Sequence, residues 1–192
     1  MSHTLQFLKA FLRNPTQVGA IAPSSRELAE VMMDGLKPGP GDTIVEYGPG
    51  TGPLTQVIQE KLDNPGQYLG IERDRAFVNL LRLRFPELRF VEGSAEHAPR
   101  HMNEIGLPKP VAIVSGLPFA SLPPLVQDGV IAGIDQLMTA GSQFRTFQYL
   151  HAYYLPPAVR FRRIMRRLLG PCRRSRLVTR NLPPAYVLSW SR

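Results

Sequence analysis

Residues 44–54 read IVEYGPGTGPL: an apolar run with a carboxylate inside it, then glycine at 48, 50 and 52 and proline at 53. A β-rich run that passes into alternate glycines reads as the first strand-to-helix turn of an open α/β sheet. There a ligand sits beyond the strand's carboxyl end, and backbone must approach it closely. Pro53 suits the first turn of the following helix, where a missing N–H costs nothing. Two phosphate-binding loops are excluded by spacing. A dinucleotide fingerprint needs glycine at position 53, and a P-loop needs a Lys-Ser/Thr pair that does not follow Gly52.

Working outward, short apolar β-rich runs recur at 42–47, 67–72, 88–92, 111–115 and 143–150, with helical spacing between them at 53–62, 74–85, 123–138 and 158–169. The strands are continuously apolar rather than alternating, which predicts a mostly parallel sheet covered on both faces by helices. A further helix is expected at 25–36 behind the cap signal Ser24-Ser25, with Glu27 close by. The tail, RLVTRNLPPAYVLSW, reads as two strands joined by a tight turn, an antiparallel hairpin at one sheet edge. A chain of 192 residues, 43% hydrophobic, suits one well-cored domain. We place it at 25–192, behind an N-terminal segment, 1–24.

Composition narrows the chemistry. The four histidines and the single Cys172 form no familiar ligand spacing, so no metal is expected. No run approaches the roughly 20 apolar residues of a membrane span, and the start lacks the small-residue cleavage site of a secretory signal, which predicts a cytoplasmic protein. The net charge of +8 is uneven: +3 over residues 1–26, −5 over 27–154, and +10 over 155–192, where ten arginines meet no acid. Such ends attract anionic partners.

The second strand ends in Glu72, twenty residues past Gly52, where a ribose acceptor belongs. The third runs into VEGSAEHAP, offering Ser94, Ala95 and Glu96 beside an adenine edge. This chain-order combination resembles the class I S-adenosylmethionine-dependent methyltransferases. The resemblance implies a Rossmann-like fold with a seven-stranded sheet and S-adenosylmethionine as cofactor, S-adenosylhomocysteine being its product. It also implies roles: Glu46 fixes the loop and approaches the methionine amino end, while Gly48, Gly50, Thr51 and Gly52 give way to the methionyl and ribose portions. Glu72 takes the ribose, Arg73 flanks the adenine, and Ser94, Ala95 and Glu96 line its edge.

After the fourth strand, GLPF at 116–119 is similar to the Asn-Leu-Pro-aromatic motif of the ribosomal RNA adenine dimethylases. It departs at Gly116, which has no side-chain amide; Ser115 stands one residue earlier as a substitute. The resemblance implies an amine acceptor held along Gly116, Leu117 and Pro118, with the ring of Phe119 facing the developing cation. Past the fifth strand, Tyr149, His151 and Tyr154 are candidates to orient the amine or relay its proton, and Tyr153 to hold a methylated ammonium.

Leu5, Phe7, Leu8, Phe11 and Leu12 share one helical arc, with Lys9 and Arg13 among the residues opposite, predicting a basic amphipathic helix suited to a membrane interface. In 158–169, Phe161, Ile164, Met165 and Leu168 repeat the pattern beside five arginines. An amphipathic start followed by NPTQVGAIAPSSRELAEVM, VEYGPGTG and SGLPF resembles the soluble, rhizobial type of bacterial phospholipid N-methyltransferase. The resemblance implies methylation of phosphatidylethanolamine to its mono- and dimethyl forms and to phosphatidylcholine. It further implies peripheral attachment to an anionic membrane surface, the cytoplasmic face of the inner membrane, and no nucleic-acid partner. The alternative is RNA or DNA adenine N6-methylation, with the C-terminal arginines gripping phosphates.

Overall fold

The computed structural model describes residues 24–192. The expected amphipathic helix, and with it the membrane-binding roles of Leu5, Phe7, Leu8, Lys9, Phe11, Leu12 and Arg13, lies outside the described residues.

Helix α1 (Arg26–Met33) starts where Ser25 caps it, the hydroxyl accepting from Leu28 N at 3.1 Å. Then come β1 (Ile44–Tyr47), α2 (Pro53–Gln59), β2 (Tyr68–Glu72), α3 (Arg75–Arg84), β3 (Arg89–Glu92), α4 (Ala98–Ile105), β4 (Ala112–Ser115), α5 (Pro124–Leu137), β5 (Gln143–Tyr149), α6 (Pro156–Leu169), β6 (Arg173–Arg174) and β7 (Ala185–Ser191). They build a seven-stranded sheet ordered β3-β2-β1-β4-β5-β7-β6. The first five strands are parallel to one another; β7 runs antiparallel to β5 and to β6. This is the Rossmann-like methyltransferase fold that the sequence predicts.

Side chains alternate across β1, and the core divides accordingly. Ile44 joins Leu28, Met32, Val57, Leu81 and Phe90 on the face covered by α1, α2 and α3. Val45 and Tyr47 join Met102, Ile131, Phe161 and Trp190 on the face covered by α4, α5 and α6. Both faces are dry, so every residue of β1, β2 and β4 is buried. That is why the strands read as unbroken apolar runs.

The antiparallel edge hairpin is present as β6 and β7, and only its bounds are corrected. The C-terminal hairpin does not pair 176–181 with 185–190. Its first strand is the two-residue β6, the chain between 175 and 184 meets β7 only through the Val178–Ala185 bridge, and β7 spends seven residues on β5 instead. Asn181 explains part of this: its buried amide accepts from Ser25 N at 2.7 Å and donates to Pro183 O at 2.7 Å, holding a turn where a strand was expected. Helix α4 was not anticipated at all.

Candidate active site

Because β1 to β4 are parallel, their carboxyl ends lie together, and the backbone ladder continues one residue past three of them. Gly48 N donates to Ile71 O at 2.9 Å, Gly93 N to Glu72 O at 2.9 Å, and Gly116 N to Tyr47 O at 2.8 Å. These bonds fasten the strand-end turns to one another at the rim of a cavity of about 540 Å³. Glu46, residues 48–51, Pro53 and Leu54 form one wall, 71–74 and 93–95 another, and 116–118, Phe147 and Tyr149 lie at a further end.

The glycine loop has three positive φ angles, +66° at Gly48, +59° at Gly50 and +88° at Gly52, each in the left-handed region that glycine enters without cost. The reasons for glycine differ. A Cβ at Gly50 would meet nothing within 4 Å and would stand in open space. One at Gly48 would lie 2.8 Å from Leu117 Cδ2, and one at Gly52 2.6 Å from Phe85 Cε2. Gly52 is therefore demanded by packing against α3, and it does not border the cavity as expected. Thr51 does border it, and its carbonyl accepts from the Arg84 guanidinium.

Glu46 is fully buried on β1 and lines the cavity. Its Oε2 accepts from Thr55 Oγ1 at 2.8 Å and Tyr68 OH at 2.6 Å, while its Oε1 is buried without a hydrogen-bond partner. Burial pushes its carboxyl up to about 7, against the two hydroxyls that favour the charged form. Glu72 accepts from Gly50 N at 3.0 Å and Asp74 N at 2.9 Å, one bond to each carboxylate oxygen. Each oxygen keeps a further lone pair for a hydroxyl donor. Arg73 and Ser94 border the cavity, as does Ala95.

Other expected residues are placed elsewhere. Glu96 turns away: it accepts from Ser94 Oγ at 2.8 Å and packs where a Cβ on Gly129 of α5 would be 2.5 Å from its Oε1. Ser115 is fully buried beneath the cavity, its Oγ accepting from Leu117 N at 3.2 Å, and is not at the wall. Phe119 is core. Its ring stacks on Phe161 at 4.0 Å and meets Phe144 edge-on at 6.2 Å, so it does not face the acceptor. Tyr153 is covered by the Arg162 guanidinium 3.8 Å above its ring and is not at the cavity. Tyr154, largely exposed, lines a neighbouring groove.

Tyr149 does reach the acceptor end. Burial pushes its phenol up to about 12, and its ring stacks on exposed His151 at 5.7 Å. Gly116, Leu117 and Pro118 line the same end. A Cβ at Gly116 would lie 2.8 Å from Gly48 O, so this backbone leaves no room for the asparagine of the adenine dimethylases. Asp74, Phe77, Gly93, Leu122, Val126, Val130 and Phe147 also line the cavity, outside the motifs that point to the site in the sequence. Val126 and Val130 lie one turn apart on α5, a spacing visible in the sequence but indistinguishable there from core.

The donor set fits S-adenosylmethionine: an orphaned buried carboxylate oxygen for an ammonium, a paired acid for ribose hydroxyls, and open space over Gly50 for a ligand. Among the described residues, no group of His, Cys, Asp and Glu is arranged to hold a metal.

No protein-family model matches the chain. It is 29% identical over 182 residues to an ornithine lipid N-methyltransferase of Singulisphaera acidiphila, a match spanning 93% of this chain and 91% of that protein. A ribosomal RNA small subunit methyltransferase A of Chlorobium phaeobacteroides is 26% identical over 103 residues, covering 54% of this chain and 36% of that one. Among solved structures, an O-methyltransferase from Bacillus cereus superposes with a TM-score of 0.69 over 100% of this chain and 92% of its own, at 11% identity. A TehB-like methyltransferase from Corynebacterium glutamicum gives 0.66 over 99% and 98%, at 16% identity. The fold is that of the class I methyltransferases, and the donor set of the site fits S-adenosylmethionine.

Proposed function

We propose that this class I S-adenosylmethionine-dependent methyltransferase N-methylates the primary amine of a membrane amino lipid, phosphatidylethanolamine being the first candidate. The observation that carries the reading is the acceptor end of the cavity: Leu117, Pro118, Leu122, Val126, Val130 and the rings of Phe147 and Tyr149 make it apolar and aromatic. A second candidate within the class, an ornithine lipid, is favoured by the relative aligned over nearly the whole chain. Ribosomal RNA adenine methylation is supported only by matches to about half of this chain, and the glycine at 116 removes the amide that would hold an adenine.

Bound in the cavity, S-adenosylmethionine supplies the methyl as an electrophile on sulfonium. The chain's own residues do the rest. Glu46 Oε1 would hold the cofactor's ammonium and the Glu72 carboxylate its ribose hydroxyls. The acceptor must arrive as the neutral amine, and a dry apolar wall lowers the cost of shedding its proton by disfavouring the ammonium. With its phenol raised to about 12, Tyr149 stays protonated at neutral pH and serves as a hydrogen-bond partner for the amine. Its ring and that of Phe147 favour the cation that methylation leaves. His151, exposed and stacked on Tyr149, is the proposed exit for the proton to water. Peripheral attachment at the membrane, through the basic amphipathic segment at 4–13, completes the proposal.

The test is label transfer. Methyl-labelled S-adenosylmethionine is offered with liposomes containing phosphatidylethanolamine, with liposomes containing an ornithine lipid, and with bulk RNA. Label extracted into the organic phase from either liposome supports the reading and names the lipid; label only in RNA replaces it.

A further inference from the structure

Beside the cofactor cavity, and sharing Leu122 with it, a groove of about 720 Å³ runs between the starts of α5 and α6. Its floor is apolar, built from Leu122, Pro124, Pro156, Pro157 and Val159, and Tyr154 stands over it with 75% of its surface exposed. One wall carries two arginines a turn apart on α6, Arg160 and Arg163.

The two cations are differently employed. Gln127, 1% exposed, donates to Phe119 O at 2.8 Å and to Pro157 O at 3.4 Å, and its Oε1 accepts from Arg160 Nη1 at 2.7 Å. Arg160 Nη2 also meets both oxygens of Asp128, at 2.7 and 2.8 Å. Arg160 is thus locked, its charge offset by Asp128. Arg163 is exposed and makes no hydrogen bond or ion pair with any described residue. A free guanidinium over an apolar floor, opening into a site for an amine, matches an amphiphile whose amine and anion are a few bonds apart.

We infer that this groove is the subsite for the anion of the amino lipid, with Arg163 holding its phosphodiester (or carboxylate) and the proline floor and Tyr154 receiving the first acyl carbons. The inference rests on the lipid reading above and adds to it a residue that recognises the substrate. It separates headgroup recognition from general attraction to a negative surface, because Arg166 and Arg173 are also exposed arginines but do not line the groove.

The experiment uses the full chain and dihexanoyl phosphatidylethanolamine below its micelle concentration, so that membrane recruitment plays no part. Arg163→Glu is expected to raise KM for this lipid at least tenfold, with kcat within twofold and cofactor affinity unchanged; Arg163→Ala should raise it about threefold. Arg166→Glu and Arg173→Glu should keep the wild-type KM. An unchanged KM in both Arg163 variants overturns the inference, as does an equal rise in the Arg166 variant, which would mean bulk surface charge. Inorganic phosphate is the competitor that tests the acyl part: inhibition as strong as that by dihexanoyl phosphatidylglycerol overturns a lipid subsite. If the wild type labels no amino lipid at all, the functional reading falls with it; if only the Arg163 arm fails, that reading stands.

Discussion

Gly50 N donates to Glu72 Oε2 at 3.0 Å, joining residues 22 apart in sequence at the carboxyl ends of adjacent strands. The acid expected to take the cofactor's ribose therefore also holds the loop that gives the cofactor room. Glu72→Ala removes the ribose acceptor together with the Gly50 and Asp74 anchors, each a hydrogen bond to a charged group worth about 1.5–3 kcal/mol. Calorimetry should show S-adenosylmethionine affinity reduced at least about a hundredfold, which at roughly 1.4 kcal/mol per decade needs only two such bonds. Glu72→Gln, able to accept through one oxygen alone, should fall between the wild type and the alanine variant. Affinity unchanged in both variants would remove the cofactor assignment from this acid.

Two neighbouring glycines should respond oppositely to the same change. Alanine at Gly50 pays only for a left-handed φ, roughly 1–2 kcal/mol, because its methyl enters open space. That space is where the cofactor belongs, so Gly50→Ala should melt close to the wild type yet bind S-adenosylmethionine much more weakly. Gly52→Ala adds a contact of 2.6 Å with the Phe85 ring, and overpacking of this kind costs typically about 1–3 kcal/mol more. Urea denaturation should rank Gly52→Ala well below Gly50→Ala in stability, and the order of their cofactor affinities, corrected for folded fraction, should be the reverse.

Phe119 tests what a motif can say. Its place in GLPF suggested a ring over the reacting amine, but Phe161 and Phe144 enclose it. Phe119→Ala should cost about 3–5 kcal/mol of stability, the range for truncating a buried phenylalanine. Phe119→Leu should restore most of that and, at a temperature where it is folded, should turn over at close to the wild-type rate. A leucine variant that is fully folded yet inactive would return the ring to the site.

How far the sequence could be read follows from what each signal reports. The parallel strands were legible because burial on both faces leaves unbroken runs such as IVEY and YLGIE, a pattern that depends on little else. Helix α4 was not, because its apolar stripe is only three residues long, Ala98, Met102 and Ile105, among polar and charged neighbours. Its boundaries were nevertheless written in Pro99, in the first turn, and in Gly106, left-handed at φ +75°. At the site, the glycines follow the backbone: Gly48 and Gly116 stand where close approach between loops demands them, and Gly50 where φ is left-handed over open space. Side-chain directions did not. Whether Glu96, Phe119 or Tyr153 points into the cavity depends on partners far along the chain, Gly129, Phe161 and Arg162 respectively, which spacing within a motif does not encode.

Glu46 makes the last prediction one of pH. Burial raises its carboxyl from 4.5 to about 7 in the folded protein, so the folded state holds a proton that the unfolded chain releases at lower pH. Below about pH 4.5 both states are protonated and the group costs nothing. As pH rises from 4.5 towards 7 the unfolded state is progressively favoured, and above 7 the penalty is complete. Glu46→Gln, neutral at every pH, removes that slope. Denaturation at pH 5, 6, 7 and 8 should therefore show the stability of the wild type falling relative to the glutamine variant up to about pH 7 and running parallel beyond. Cofactor binding should move the other way. An ammonium against Oε1 needs the carboxylate, so wild-type affinity for S-adenosylmethionine should rise from pH 5 to 7. Glu46→Gln should bind weakly and without that rise. If the variant binds as tightly as the wild type at pH 7, the buried oxygen has some other partner and the cofactor's amino end lies elsewhere in the cavity.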